Sequence, residues 1–134
     1  MNLTFSPPSL PGTFEEEFFC GAWHPSEPLR VSTPTSQAKL SVVSGCNWFL
    51  IGTINPQLGT SPVHDCAVTQ DNEKLQPVAF RGYLVDPPVH TWSADNTILQ
   101  AWNHPKPPFN GSFATARILG EGSALELTTD LLGI

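Results

Sequence analysis

The residues of this sequence that could support catalysis are four histidines and one short run of reactive side chains. His64, Asp65 and Cys66 are consecutive and would supply a base, an acid and a thiol nucleophile. Neighbours on a strand point to opposite faces, however, so this run does not bring all three groups to one substrate. We expect Cys66 to be a buried, apolar side chain. A small enzyme would instead use His64 or His90 with Asp86 or Asp65, at the mouth of a barrel.

The spacing of the histidines does not match the common metal-binding motifs. The chain contains no HxH, HxxxH, HExxH or CxxC pattern, and each histidine lies beside a proline or a turn signal. Histidines at such places lie at strand ends, where they are solvated or hydrogen-bonded. We therefore predict neither a metal site nor a cofactor.

Aromatic side chains near the ends of predicted strands are better candidates for recognition. An exposed indole flanked by Asn, Ser or Thr can stack on a sugar ring, and Trp is also a favoured anchor of protein interfaces. The alternative is that these rings only close the ends of the fold. The predicted binding residues are Trp23, His24, Trp92, Trp102, Asn103 and His104.

Proline and glycine limit the elements that can position these side chains. The chain has 14 prolines and 10 glycines spread over 134 residues, so the regular segments between them are short. Segment 46–54 is apolar on both faces at 48–51, which predicts a strand buried between two layers. Further strands are predicted at 77–85, 113–119 and 123–129.

The last two of these strands flank Gly120-Glu121-Gly122, a connection suited to a hairpin. In the second strand Leu125 and Leu127 alternate with polar and small residues, which predicts one buried and one wet face. Only segment 93–102 fits helical spacing about as well as strand spacing. A strand is slightly favoured there because Thr97 and Ile98 are β-branched.

Together these patterns predict one all-β domain over residues 1–134, with a proline-rich lead at 1–13. The expected architecture is a small antiparallel β-sandwich or β-barrel of about eight to ten short strands. At most one short helix is expected, at 93–102.

Charge and hydropathy restrict the class of partner. Six basic and twelve acidic residues give a net charge of −6, and the basic residues are scattered, so nucleic acid is not an expected partner. The longest apolar run, 48–51, is too short to span a bilayer, and the sequence lacks the pattern of a signal peptide. We therefore expect a soluble chain with no membrane partner and reduced cysteines. It would be cytoplasmic or part of a particle assembled inside the cell.

Segment 57–63 (QLGTSPV), together with 107–109 (PPF), is similar to segments of calicivirus capsid protruding domains. The composition, rich in Ser, Thr, Pro and Gly and poor in charge, is also similar to that of viral coat and spike modules. The similar segments are of loop-forming type, those domains are much longer than this chain, and no binding residue is carried over from them. The resemblance implies a role in assembly or attachment.

Three functions remain open from the sequence. The first is a non-enzymatic binding or assembly module that recognises a protein or glycan, as a homo-oligomer or as a subunit of a larger assembly such as a viral one. The second is a small enzyme with the His/Asp site described above. The third is a β-barrel that carries a small ligand in an apolar cavity. The first is favoured because no catalytic signature accompanies the Trp- and Pro-rich strand exits.

Overall fold

The computed structural model describes residues 1–5, 18–33, 40–55, 57–65, 74–85, 88–101 and 111–130. These residues form ten strands in three sheets and one α-helix, which confirms the predicted all-β class. The sheets stack on one another, and within the described ranges none closes into a barrel. The elements are β1 (Asn2–Thr4), β2 (Phe19–Trp23), β3 (Arg30–Ser32), β4 (Leu40–Ser44), β5 (Trp48–Thr53), β6 (Val63–His64), β7 (Val78–Val85), β8 (Pro88–His90), α1 (Asn96–Ala101), β9 (Gly111–Leu119) and β10 (Ala124–Thr129).

The largest sheet has five antiparallel strands and is built around β7. β9 pairs along nearly the whole of one edge of β7, and β10 pairs with the far side of β9. The other edge of β7 is shared by two short strands. β6 pairs with its start, where Val63 lies opposite Ala79, and β8 with its end, where Val89 lies opposite Leu84. Side chains on β6 and β8 are therefore held at opposite ends of β7.

A second, three-stranded sheet has β5 at its centre, between β2 and β4. Trp48 and Leu50 pack against the five-stranded sheet, whereas Phe49 and Ile51 pack on the opposite side. All four are buried, so the predicted strand between two layers is confirmed. The layer beyond Phe49 and Ile51 is formed by β1 and β3, which pair in parallel, unlike the predicted antiparallel arrangement.

The outer face of the five-stranded sheet is covered by α1 and the turn before it. Leu99 on the helix packs in one cluster with Val78 and Phe80 on β7. The helix begins where the Asp95 side chain accepts a hydrogen bond from the backbone N–H of Ile98, at 2.8 Å. The slight preference for a strand at 93–102 is therefore wrong, because this cap and the packing of Leu99 favour the helix.

The predicted hairpin between β9 and β10 is confirmed. Gly120, Glu121 and Gly122 connect the strands, and all three have positive φ angles, of 53°, 59° and 106°. Two glycines adopt these angles without the steric cost that a side chain brings. The turn therefore holds Glu121 in the left-handed conformation, with its side chain exposed.

Candidate recognition surface

Trp23 and His24 lie at a strand exit, as predicted, and both bind other parts of the same chain. The indole N–H of Trp23 donates to the carbonyl of Gly122 at 2.8 Å, and its ring is half-buried in the core. The Nδ1 atom of His24 accepts backbone N–H groups from Ser26 and Glu27, at 3.1 and 2.8 Å. These contacts fix the strand exit and occupy the Trp23 indole N–H and the His24 Nδ1 atom.

The remaining predicted binding residues are only partly described. Trp92 is half-buried in the turn that follows β8. Trp102, Asn103 and His104 lie outside the described residues, so their role stays a prediction.

The predicted catalytic histidines lie on opposite faces of the five-stranded sheet. His64 lies opposite Val78, whose side chain faces α1, and His90 lies opposite Tyr83 on the other face. These positions are five residues apart on β7, or roughly 16 Å at about 3.3 Å per residue. His64 and His90 therefore do not reach one substrate together. The pairing of either with Asp86 stays a prediction, because Asp86 lies outside the described residues.

His64 is close enough to Asp95 for their charges to interact. The described contacts include no hydrogen bond between the two side chains. Burial lowers the pKa of His64, and the negative charge of Asp95 partly opposes this effect. The buried Nε2 atom has no hydrogen-bond partner. Asp65 is exposed, and its carbonyl accepts a hydrogen bond from the Asn96 side chain. The use of His64 as a general base with Asp65 stays a prediction.

Two of the three cysteines lie in the described part of the chain, and both are free thiols. Cys46 is exposed, whereas burial raises the pKa of the Cys20 thiol. Cys66 lies outside the described residues, so its predicted burial is not tested.

Neither a metal-ligand cluster nor a membrane-spanning element occurs in the described ranges. No group of three or more His, Cys, Asp or Glu side chains comes together there. No described helix has the length and apolar character needed to cross a membrane.

The most prominent exposed feature is one face of the five-stranded sheet. Ala79 and Ala116 on this face are buried under the three-stranded sheet. Because side chains alternate along a strand and cross-strand partners share a face, the same face continues beyond that cover. We call this uncovered part the open face. Its described residues are Arg81, Tyr83, Val85, Pro88, His90, Ser112, Ala114, Leu127 and Thr129.

The open face combines large exposed apolar groups with an arginine. Tyr83, Val85 and Leu127 are 53%, 59% and 70% exposed. Arg81 and Tyr83 lie on β7 opposite the small residues Ala114 and Ser112 on β9. No acidic residue belongs to this face among the residues described. Tyrosine and arginine in such a setting are typical of the centres of protein interfaces.

No known protein family matches the chain, and no curated protein or solved structure matches it significantly.

The sequence contained part of the signal for the open face. In segment 77–85, Ala79, Arg81 and Tyr83 occupy one parity and must share one side of a strand. This alternation does not show which of the three side chains is covered by a second sheet. That depends on where the three-stranded sheet ends, which is set by contacts between residues distant in sequence.

Proposed function

We propose that the chain is a non-enzymatic recognition module that binds a partner protein through the open face. The observation that carries this proposal is the exposure of Tyr83, Val85 and Leu127 on one uncovered sheet face. Removing apolar surface from water contributes about 25 cal/mol per Å², so covering these side chains favours association.

The aliphatic side chains favour a protein over a glycan at this face. Val85 and Leu127 offer a sugar no hydrogen-bonding group, whereas both pack well against another protein. The described residues of the open face also lack the carboxylate and amide side chains that would bind sugar hydroxyls.

Charge favours a different protein over a second copy of this chain. Each copy has a net charge of −6, so two copies repel one another at low ionic strength. We therefore expect a partner with an apolar centre and a less acidic surface than that of this chain.

A peptide-display selection on the immobilised full chain tests this proposal. We expect enrichment of peptides that are rich in aromatic or aliphatic residues and poor in Asp and Glu. Tyr83→Thr/Val85→Thr should weaken their binding at least about tenfold, because it removes two interface anchors. Threonine is β-branched and favours strands, so the substitutions should leave β7 intact.

Val42→Thr is the matched control, because Val42 is an exposed strand valine on the three-stranded sheet. The enriched peptides should bind this variant like the unmodified chain. Equal binding to the Tyr83→Thr/Val85→Thr variant would reject the open face as the binding surface. If the unmodified chain sediments as a dimer and the Tyr83→Thr/Val85→Thr variant as a monomer, the open face instead binds a second copy of the chain.

A further inference from the structure

A cavity of about 380 Å³ opens at the end of the five-stranded sheet where β9 turns into β10. It lies between the turn after β4, the residues before β7 and the β9–β10 turn. Its described lining residues include Ile118 and none of the open face, where Leu127 comes nearest, opposite Ala116 on β9. The cavity is therefore separate from the surface in the proposed function.

The inner walls of the cavity are apolar. Trp48 and Ile118 line it and are only 6% and 1% exposed, and Leu75 and Pro77 lie beside them. The volume lies in the range of small-molecule sites, which combine apolar walls with a few polar groups.

The indole of Trp48 supplies one polar group in this wall. Its N–H donates no hydrogen bond within the part of the chain that the structure describes, and the residue is more than nine-tenths buried. The indole nitrogen lies beside Gly45, where a Cβ atom would be only 2.2 Å from it. Gly45 also lines the cavity, so the absence of a side chain there leaves this edge of the indole accessible. The N–H can donate to a ligand oxygen.

The rim of the cavity carries charges of both signs. Lys74 Nζ donates to Glu121 Oε1 at 2.6 Å, and Asp65 lies on the same rim. The hydrogen bond from Lys74 and its positive charge lower the pKa of Glu121, so this carboxylate is ionised at neutral pH. Ser44 and Gln76 add groups that both donate and accept.

From this arrangement we infer that the cavity binds a short neutral saccharide. A hydroxyl group donates and accepts at once, so it can bond to a carboxylate and to an ammonium or indole N–H. The C–H faces of a sugar ring fit the apolar walls. Among the described residues, the rim carries the carboxylates of Asp65 and Glu121 and the ammonium of Lys74, a balance that disfavours an anionic sugar.

NMR titration of the isotope-labelled full chain tests this inference. The probes are the methyl glycosides of glucose, galactose, mannose, fucose and N-acetylglucosamine, with N-acetylneuraminic acid as the anionic comparison. At concentrations well above about 1 mM, where weak binding is detectable, at least one neutral glycoside should shift the Trp48 indole N–H signal. The signal of Trp23, whose N–H is bound to Gly122, should not move.

Substitutions on the rim complete the test. Glu121→Gln should weaken glycoside binding about tenfold, because it removes a charge-assisted acceptor. Glu27→Gln is the matched control, since Glu27 is exposed and does not line the cavity, and it should leave binding unchanged. The inference is overturned if no neutral glycoside shifts the Trp48 signal. It is also overturned if N-acetylneuraminic acid binds as tightly, or if both Glu variants weaken binding equally.

Discussion

Burial couples the ionisation of His64 to folding. The imidazole lies on β6 against the helix side of the five-stranded sheet, and its Nε2 atom is buried without a hydrogen-bond partner. Burial disfavours the charged form and lowers the pKa of His64, while Asp95 opposes this only in part. Protonation therefore favours the unfolded chain, where water solvates the charge.

The pH dependence of stability follows from this shift. The unfolded histidine has a pKa of about 6.5, above that of the folded state, so the unfolded chain binds the proton first as the pH falls. The stabilisation is present above about pH 6.5 and is lost as the pH falls towards the folded pKa. We expect the Tm, measured by circular dichroism, to decrease between about pH 7 and pH 5. His64→Gln should flatten this dependence, whereas a slope that His64→Gln leaves unchanged would contradict the assignment.

His90 provides the control for that measurement. It is exposed on the other side of the same sheet, so His90→Gln should keep the pH dependence of the unmodified chain.

Sequence identified Trp23 and His24 as residues at a strand exit, because the proline after them is a local signal. The acceptor of the Trp23 indole is 99 residues away along the chain, and no local pattern points to it. For the same reason, the sequence could not show that His64 and His90 lie on opposite faces.

The β9–β10 turn is the element with the most restricted backbone. Gly122 has a φ of 106°, and a Cβ atom there would lie 2.2 Å from the Asn47 side-chain oxygen. The Asn47 amide donates to the carbonyls of both His24 and Gly122, at 2.7 Å each. A side chain at Gly122 would therefore disturb the contact between the hairpin and the three-stranded sheet.

Gly122→Ala should destabilise the protein more than Gly59→Ala does. Gly59 also has a positive φ, of 69°, but a Cβ atom there would meet nothing within 4 Å. Gly59→Ala should thus cost only backbone strain, about 1–2 kcal/mol. Gly122→Ala adds the clash with Asn47, for a total of roughly 2–4 kcal/mol. Urea denaturation of the two variants measures this difference, and equal costs would show that Asn47 moves aside freely.

Strong local patterns predicted some elements and weak ones failed. The run that is apolar on both faces predicted the buried strand β5, and the glycines at 120 and 122 predicted the β9–β10 hairpin. Segment 93–102 fitted two periodicities, and the packing of Leu99 under the sheet decided between them. The alternation in β10 predicted that Leu125 and Leu127 share a buried face. Leu127 is instead 70% exposed, and it lies outside the core cluster that contains Leu125.

At the scale of the whole molecule, stability depends on the stacking of layers through β5. Ile51 is fully buried against the layer formed by β1 and β3, while its cross-strand partner Val42 is 41% exposed. The two residues have neighbouring positions on one sheet and differ chiefly in burial. Substitutions at these two positions therefore distinguish two contributions to stability, that of packing between layers and that of strand propensity.

Ile51→Ala should lower the free energy of unfolding by about 2–5 kcal/mol, because it leaves a cavity between two layers. Val42→Ala should cost about 1 kcal/mol or less, the span of strand propensities. Denaturant unfolding followed by tryptophan fluorescence checks both values. Comparable losses would show that interlayer packing at β5 contributes little.

The open face contains Tyr83, the only tyrosine in the chain. A reagent selective for phenols would label this surface without any engineering, because the sequence contains no second tyrosine. Protection of the phenol by a bound partner would then report occupancy of the open face directly in the native protein. The same label would leave the saccharide cavity, which contains no phenol, unmodified.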